Sequence, residues 1–225
     1  MAQHLDLEEQ EQLDQLKHFW NAWGNLISAV LLLVFGSLAA WNGYQYWQKR
    51  QAVQATALLD AVDAAATAHD GARLQQALND LQTGYAGTAQ AGLAGLMAGK
   101  ELLAEGKTDE AKAALTWVAE KAADAGHQAL ARLRLASLLV EQKNYDEALK
   151  QLGGNFPPEF DAAVADRKGD IYALQDKKAE AIAAYEKAFK GFEDGLQYRR
   201  LVEAKLNALG VQPAQASPAA AGGAQ

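Results

Sequence analysis

From Phe19 to Gln48 the chain runs thirty residues without a formally charged side chain. A helix crossing a hydrocarbon core about 30 Å thick needs roughly 20 predominantly apolar residues, and Leu26 to Trp41 with its uncharged flanks meets that length. Aromatic residues mark both ends: Phe19, Trp20 and Trp23 on one side, Trp41, Tyr44, Tyr46 and Trp47 on the other. Such rings favour the membrane–water boundary. Trp23 and Trp41 are about 27 Å apart along a helix axis, close to one hydrocarbon thickness. The alternatives are a buried helix of a soluble bundle and a cleaved secretion signal, for which Ser37 with Ala39 or Ala40 supplies small residues. A secretion signal, however, opens on a short basic segment. Here eighteen residues precede, with Asp6, Glu8, Glu9, Glu11 and Asp14 against Lys17. An uncleaved anchor is therefore expected, with Trp20, Trp23, Trp41, Tyr44 and Trp47 at the membrane interfaces. Lys49 and Arg50 outnumber Lys17, so the positive-inside rule alone puts the C-terminal body in the cytoplasm.

After Arg50 the chain is Ala-rich, with only four prolines in all 225 residues, which points to an all-α fold. Breaks fall at Asp70-Gly71, Gly84 to Gly87, Gly106 to Thr108, Gly126, Gly153-Gly154 with Pro157-Pro158, and Gly191. Between them a repeat emerges from "GKELLAEGKTDEAKAAL" at Gly99, "ASLLVEQKNYDEALKQL" at Ala136 and "GDIYALQDKKAEAIAAY" at Gly169. In each, the small residue is followed at three by Leu102, Leu139 or Tyr172, at twelve by Ala111, Ala148 or Ala181, and at sixteen by Leu115, Leu152 or Tyr185. The periods, 37 and then 33 residues, bracket the roughly 34 of a tetratricopeptide repeat. Small residues let paired helices approach, while Leu or Tyr fills the space beside them. A degenerate fourth unit is expected earlier, with Ala65, Ala77 and Leu81 at matching offsets.

Function classes narrow quickly. A net charge of -7 offers no basic patch for nucleic acid. The absence of cysteine removes disulfides, thiolate metal sites and thiol nucleophiles. His4, His18, His69 and His127 are scattered without metal-ligand spacing, and no nucleophile, phosphate-loop or dinucleotide motif is present. Neither enzyme activity, nor a cofactor, nor a metal is expected. Stacked helix pairs instead create a concave binding surface lined by the first helix of each pair. Counted from the repeat, that surface presents Leu93, Leu96, Lys100 and Leu103, then Leu130, Leu133, Ser137 and Val140, then Asp166, Asp170 and Leu174. An apolar or partly unfolded segment would suit it; burial of some of these leucines between helices is the competing explanation.

The ordered combination of acidic leader, an anchor ending in "AWNGYQYW", weak repeats, "RLRLASLLVEQKNYDEALKQL", "ADRKGDIYALQDKKAEAIAAYEKA" and "AKLNAL" resembles the YfgM-like ancillary subunits of the bacterial Sec translocon. The resemblance covers about residues 5 to 209. It implies an inner-membrane protein with a cytoplasmic N-terminus and periplasmic repeats. Its implied partners are SecYEG, a membrane-anchored prolyl-isomerase-like periplasmic chaperone and unfolded envelope proteins in transit. That orientation opposes the flanking charges. The expected organisation is a cytoplasmic segment 1–18, a transmembrane anchor 19–48, a tetratricopeptide-like solenoid 49–209 and a disordered Ala/Gly/Pro tail 210–225.

Overall fold

The computed structural model describes residues 7–193 and 195–212, with side chains from residue 11; the tail expectation beyond residue 212 lies outside the described residues. All regular structure there is helical. The chain divides between Gln51 and Ala52 into two units, while the first helix, α1, runs from Leu7 to Thr67.

In the first unit α1 is apolar and uncovered. Leu26, Leu31, Leu32, Leu33, Phe35 and Leu38 are exposed, as are Trp20, Trp23, Trp41, Tyr44 and Trp47. Ser37 Oγ and Asn42 Nδ2 donate to the carbonyls of Leu33 and Leu38, at 2.7 and 2.9 Å. One donor of each is thereby satisfied within the helix, which lowers the cost of holding these side chains away from water. Among the described residues this is the one helix long and apolar enough to cross a membrane.

The second unit is a run of helix pairs. The end of α1 pairs with α2 (Gly71–Gly84), α3 (Ala89–Ala104) with α4 (Thr108–Lys121), and α5 (Ala125–Glu141) with the short α6 (Tyr145–Gln151). A 3-10 turn at Pro158–Phe160 leads into α7 (Asp161–Leu174), its partner α8 (Lys178–Gly191) and a closing helix, α9 (Gln197–Ala208).

The turn inside every pair has the same geometry. His69, Gly106, Lys143 and Asp176 have φ of 51°, 75°, 60° and 58°. The following N–H groups, of Asp70, Lys107, Asn144 and Lys177, reach back to the carbonyls of Ala65, Leu102, Leu139 and Tyr172 at 2.8 to 2.9 Å. This six-to-one bond, with a left-handed residue just past the helix end, satisfies carbonyls that would otherwise be orphaned. Only one of the four positions is glycine, so a search for glycine breaks does not find the turns at Lys143 and Asp176. Because a left-handed non-glycine residue is strained, Lys143→Gly is expected to raise unfolding free energy by roughly 0.5–1 kcal/mol. Gly106→Ala should lower it by about 1 kcal/mol. Urea titration followed by circular dichroism measures both.

The repeat positions form the core. Ala111, Ala148 and Ala181 are fully buried, and Leu102, Leu139, Leu115, Leu152 and Tyr185 nearly so. In the degenerate first pair Ala65, Ala77 and Leu81 are also buried, packed with Val62, Leu74 and Leu78. Neighbouring pairs are joined by side chains that cap helix ends: Arg132 Nη2 donates to the carbonyl of Ala119 and Arg199 Nε to that of Phe189, each at 3.1 Å. Both cations sit where the helix dipole is negative.

The folded body does not stop at Leu209. Gly210, with φ 82°, follows α9, and Val211 N–H donates to the Leu206 carbonyl at 3.0 Å. The Val211 side chain packs on the same cluster as Val202 and Leu206, so the boundary expected at residue 210 falls inside a helix cap.

Candidate functional site

Regular spacing alone cannot say which side of a first helix a neighbour covers, and here the structure sorts the expected surface residues into three groups. Leu93, Lys100 and Leu174 are exposed. Leu103, Leu130, Leu133 and Val140 are half-buried, each with part of its side chain against a core cluster. Ser137 is also half-buried and its Oγ donates to the Leu133 carbonyl at 3.0 Å. Three expectations are corrected, at Leu96, Asp166 and Asp170. Leu96 is 3% exposed and packs with Leu115, Val118, Ala131 and Leu135. It lies about 60° around the helix from Leu93 and about 40° from Lys100. On that side α5 covers α3: Arg134 Nη1 donates to the Leu96 carbonyl at 2.8 Å, and burial pulls the guanidinium below its ordinary pKa.

The second correction is Asp166, which is 1% exposed. Lys205 of α9 places its Nζ 2.8 Å from Asp166 Oδ1 and 2.7 Å from Asp170 Oδ1. Tyr198 donates its hydroxyl to Asp166 Oδ2 at 3.1 Å, and Tyr185 donates to Asp170 Oδ1 at 2.8 Å. Arg167 Nη1 lies 3.7 Å from Asp170 Oδ2. The two carboxylates therefore face the closing helix rather than a ligand. Burial pulls the Lys205 ammonium down, but its bonds to Asp166 and Asp170 more than offset this, and its pKa is raised.

What remains as a candidate partner surface is a strip of half-buried leucines on α5, flanked by Leu93 and Lys100 on α3 and Leu174 on α7. Sequence reasoning missed a groove of about 520 Å³ between α2 and α4, lined by Gln75, Leu78, Gln82, Lys107 and Trp117 among others. Trp117 was the available signal, an aromatic outside the repeat positions.

The sequence profile of the tetratricopeptide repeat-like domain matches residues 17–211. A protein of Neisseria gonorrhoeae named "Ancillary SecYEG translocon subunit" is 34% identical over 213 residues, covering 93% of this chain and 100% of that protein. The chain belongs to the YfgM-like family. A Haemophilus influenzae member with the same name is 26% identical over 204 residues, covering 90% of this chain and 98% of its own. For this YfgM-like chain the fold class follows: all-α, with one N-terminal helix of membrane-spanning character followed by a tetratricopeptide-like solenoid. Neither relative is named as an enzyme, and the chain is a repeat scaffold.

Proposed function

We propose that this protein is an ancillary subunit of the Sec translocon, anchored in the inner membrane by α1 with its repeats in the periplasm. The full-length match to a relative bearing that name carries the reading. The exposed apolar surface of α1 supports it, since such a stretch is covered by lipid or by other membrane helices. Trp20 and Trp23 then lie at one interface and Trp41, Tyr44 and Trp47 at the other. The repeats dock on SecYEG and on a membrane-anchored prolyl-isomerase-like chaperone through the strip containing Leu93, Lys100, Leu130, Leu133, Val140 and Leu174. Emerging envelope proteins pass from one to the other. No chemistry is required of the scaffold; it raises the local concentration of partners that share it.

A second reading, a cytoplasm-facing scaffold for another membrane complex, is favoured by one observation, the excess of Lys49 and Arg50 over Lys17. Alkaline phosphatase fused after Gln225 separates the two, because that enzyme matures only in the periplasm. Activity in intact cells is the expected result. An inactive fusion that is present in the membrane rejects the periplasmic assignment.

A further inference from the structure

Where the first helix pair meets α3, three metal-binding side chains converge from distant parts of the sequence. His69 occupies the left-handed turn between α1 and α2, with its side chain 74% exposed. Its Nδ1 lies 2.6 Å from Glu101 Oε1 and 4.0 Å from Glu105 Oε1. Glu101 lies in the last turn of α3 and Glu105 caps that helix one turn later in αR conformation, so the two share a face. All three ligand atoms lie within 4.8 Å of one another.

The environment of Glu105 separates this cluster from an ordinary surface ion pair. Its Oε2 is held by Lys107 Nζ at 2.6 Å, whereas its Oε1, on the His69 side, is buried without a hydrogen-bond partner. A buried carboxylate oxygen lacking a donor is costly. Lys107 fixes the carboxylate from behind, in the manner of the outer groups that orient metal ligands, and leaves the inner oxygen to accept something else.

We propose that His69, Glu101 and Glu105 bind a divalent cation of the zinc class. One imidazole nitrogen and two carboxylate oxygens form a donor set suited to zinc, with a fourth position left for water. Calcium and magnesium take six or more oxygens and find only two side chains offering them. Binding through Nδ1 takes the neutral tautomer with its hydrogen on Nε2, and a hydrogen carried on Nδ1 leaves to solvent as the ion replaces the contact with Glu101. The ion then clasps the turn between α1 and α2 to the end of α3, tightening the first repeat. Scattered in sequence at 69, 101 and 105, these ligands show no recognisable spacing, which is why no metal was expected.

Titration of zinc chloride into the untagged full-length protein in detergent, followed by calorimetry, tests the site. One saturable zinc per chain is expected, weakened at least tenfold in His69→Asn and likewise in Glu101→Gln. Asn tolerates the left-handed conformation, so the first variant keeps the turn; the second leaves the turn untouched. Absence of saturable binding in the wild type overturns the proposal, as does zinc binding that both variants retain. Calcium binding of equal strength overturns the assignment to zinc.

Discussion

Replacing Lys205 with Met is expected to destabilise the repeat domain by about 3–5 kcal/mol, the usual cost of leaving a buried charge without its partner. Asp166 is 1% exposed, and among the described residues Tyr198 then remains to it at hydrogen-bond distance. Asp170 keeps Tyr185 and the more distant Arg167. A second variant, Lys205→Met with Asp166→Asn, removes the stranded charge and should recover a large part of the loss. Chemical denaturation of both, with the wild type, measures the difference. The same network sets an alkaline limit. Lys205 is held above its ordinary 10.5 as described, and Tyr185 and Tyr198 are held above 10.0, first by burial and then by the carboxylates they face. Each group keeps its proton to higher pH folded than unfolded. Their contribution is therefore intact below about pH 10 and lost as pH rises through the folded values. Tyr198→Phe should flatten that decline without affecting stability's dependence on pH near neutrality.

Gly169→Ala is the other substitution with a large expected effect, a loss of about 1–3 kcal/mol from overpacking. A Cβ at Gly169 would lie 2.5 Å from the Tyr185 ring. That ring cannot easily retreat: its hydroxyl is bonded to Asp170 and Lys205 Nζ lies 5.3 Å from its centroid. In the preceding pair the equivalent positions are Ala136 and Leu152, both buried. Ala tolerates a Leu partner there, so adding Tyr185→Leu to Gly169→Ala should restore part of the loss, and the double variant should be more stable than the sum of the singles predicts. Thermal unfolding of the four proteins measures that coupling.

The contrast between these two sites explains what was legible in the sequence. Gly169 and Tyr185 lie sixteen residues apart within one helix pair, where the chain's own periodicity reports the contact. The α-helical class, the repeat and the uncharged N-terminal span were readable for the same reason. Asp166 and Lys205 are 39 residues apart and meet only because α9 folds over α7, so Asp166 read as a surface acid. Leu96 was misplaced because an apolar residue at a helix flank looks the same whether α5 covers it or a ligand does. The turns at Lys143 and Asp176 hid because residues other than glycine hold the left-handed conformation there. His69, Glu101 and Glu105 come together by the same folding of one pair against the next.

Photo-crosslinking from Leu93, Lys100 and Leu174 in intact membranes tests whether this strip docks on the translocon. These three side chains are exposed, so a photoreactive residue at each leaves the core unaltered. Covalent adducts with a SecYEG subunit or the membrane-anchored chaperone are expected, and none from an exposed control position off the strip, such as Glu120 on α4. Absence of translocon or chaperone adducts from all three positions, with the protein folded and in the membrane, would contradict it.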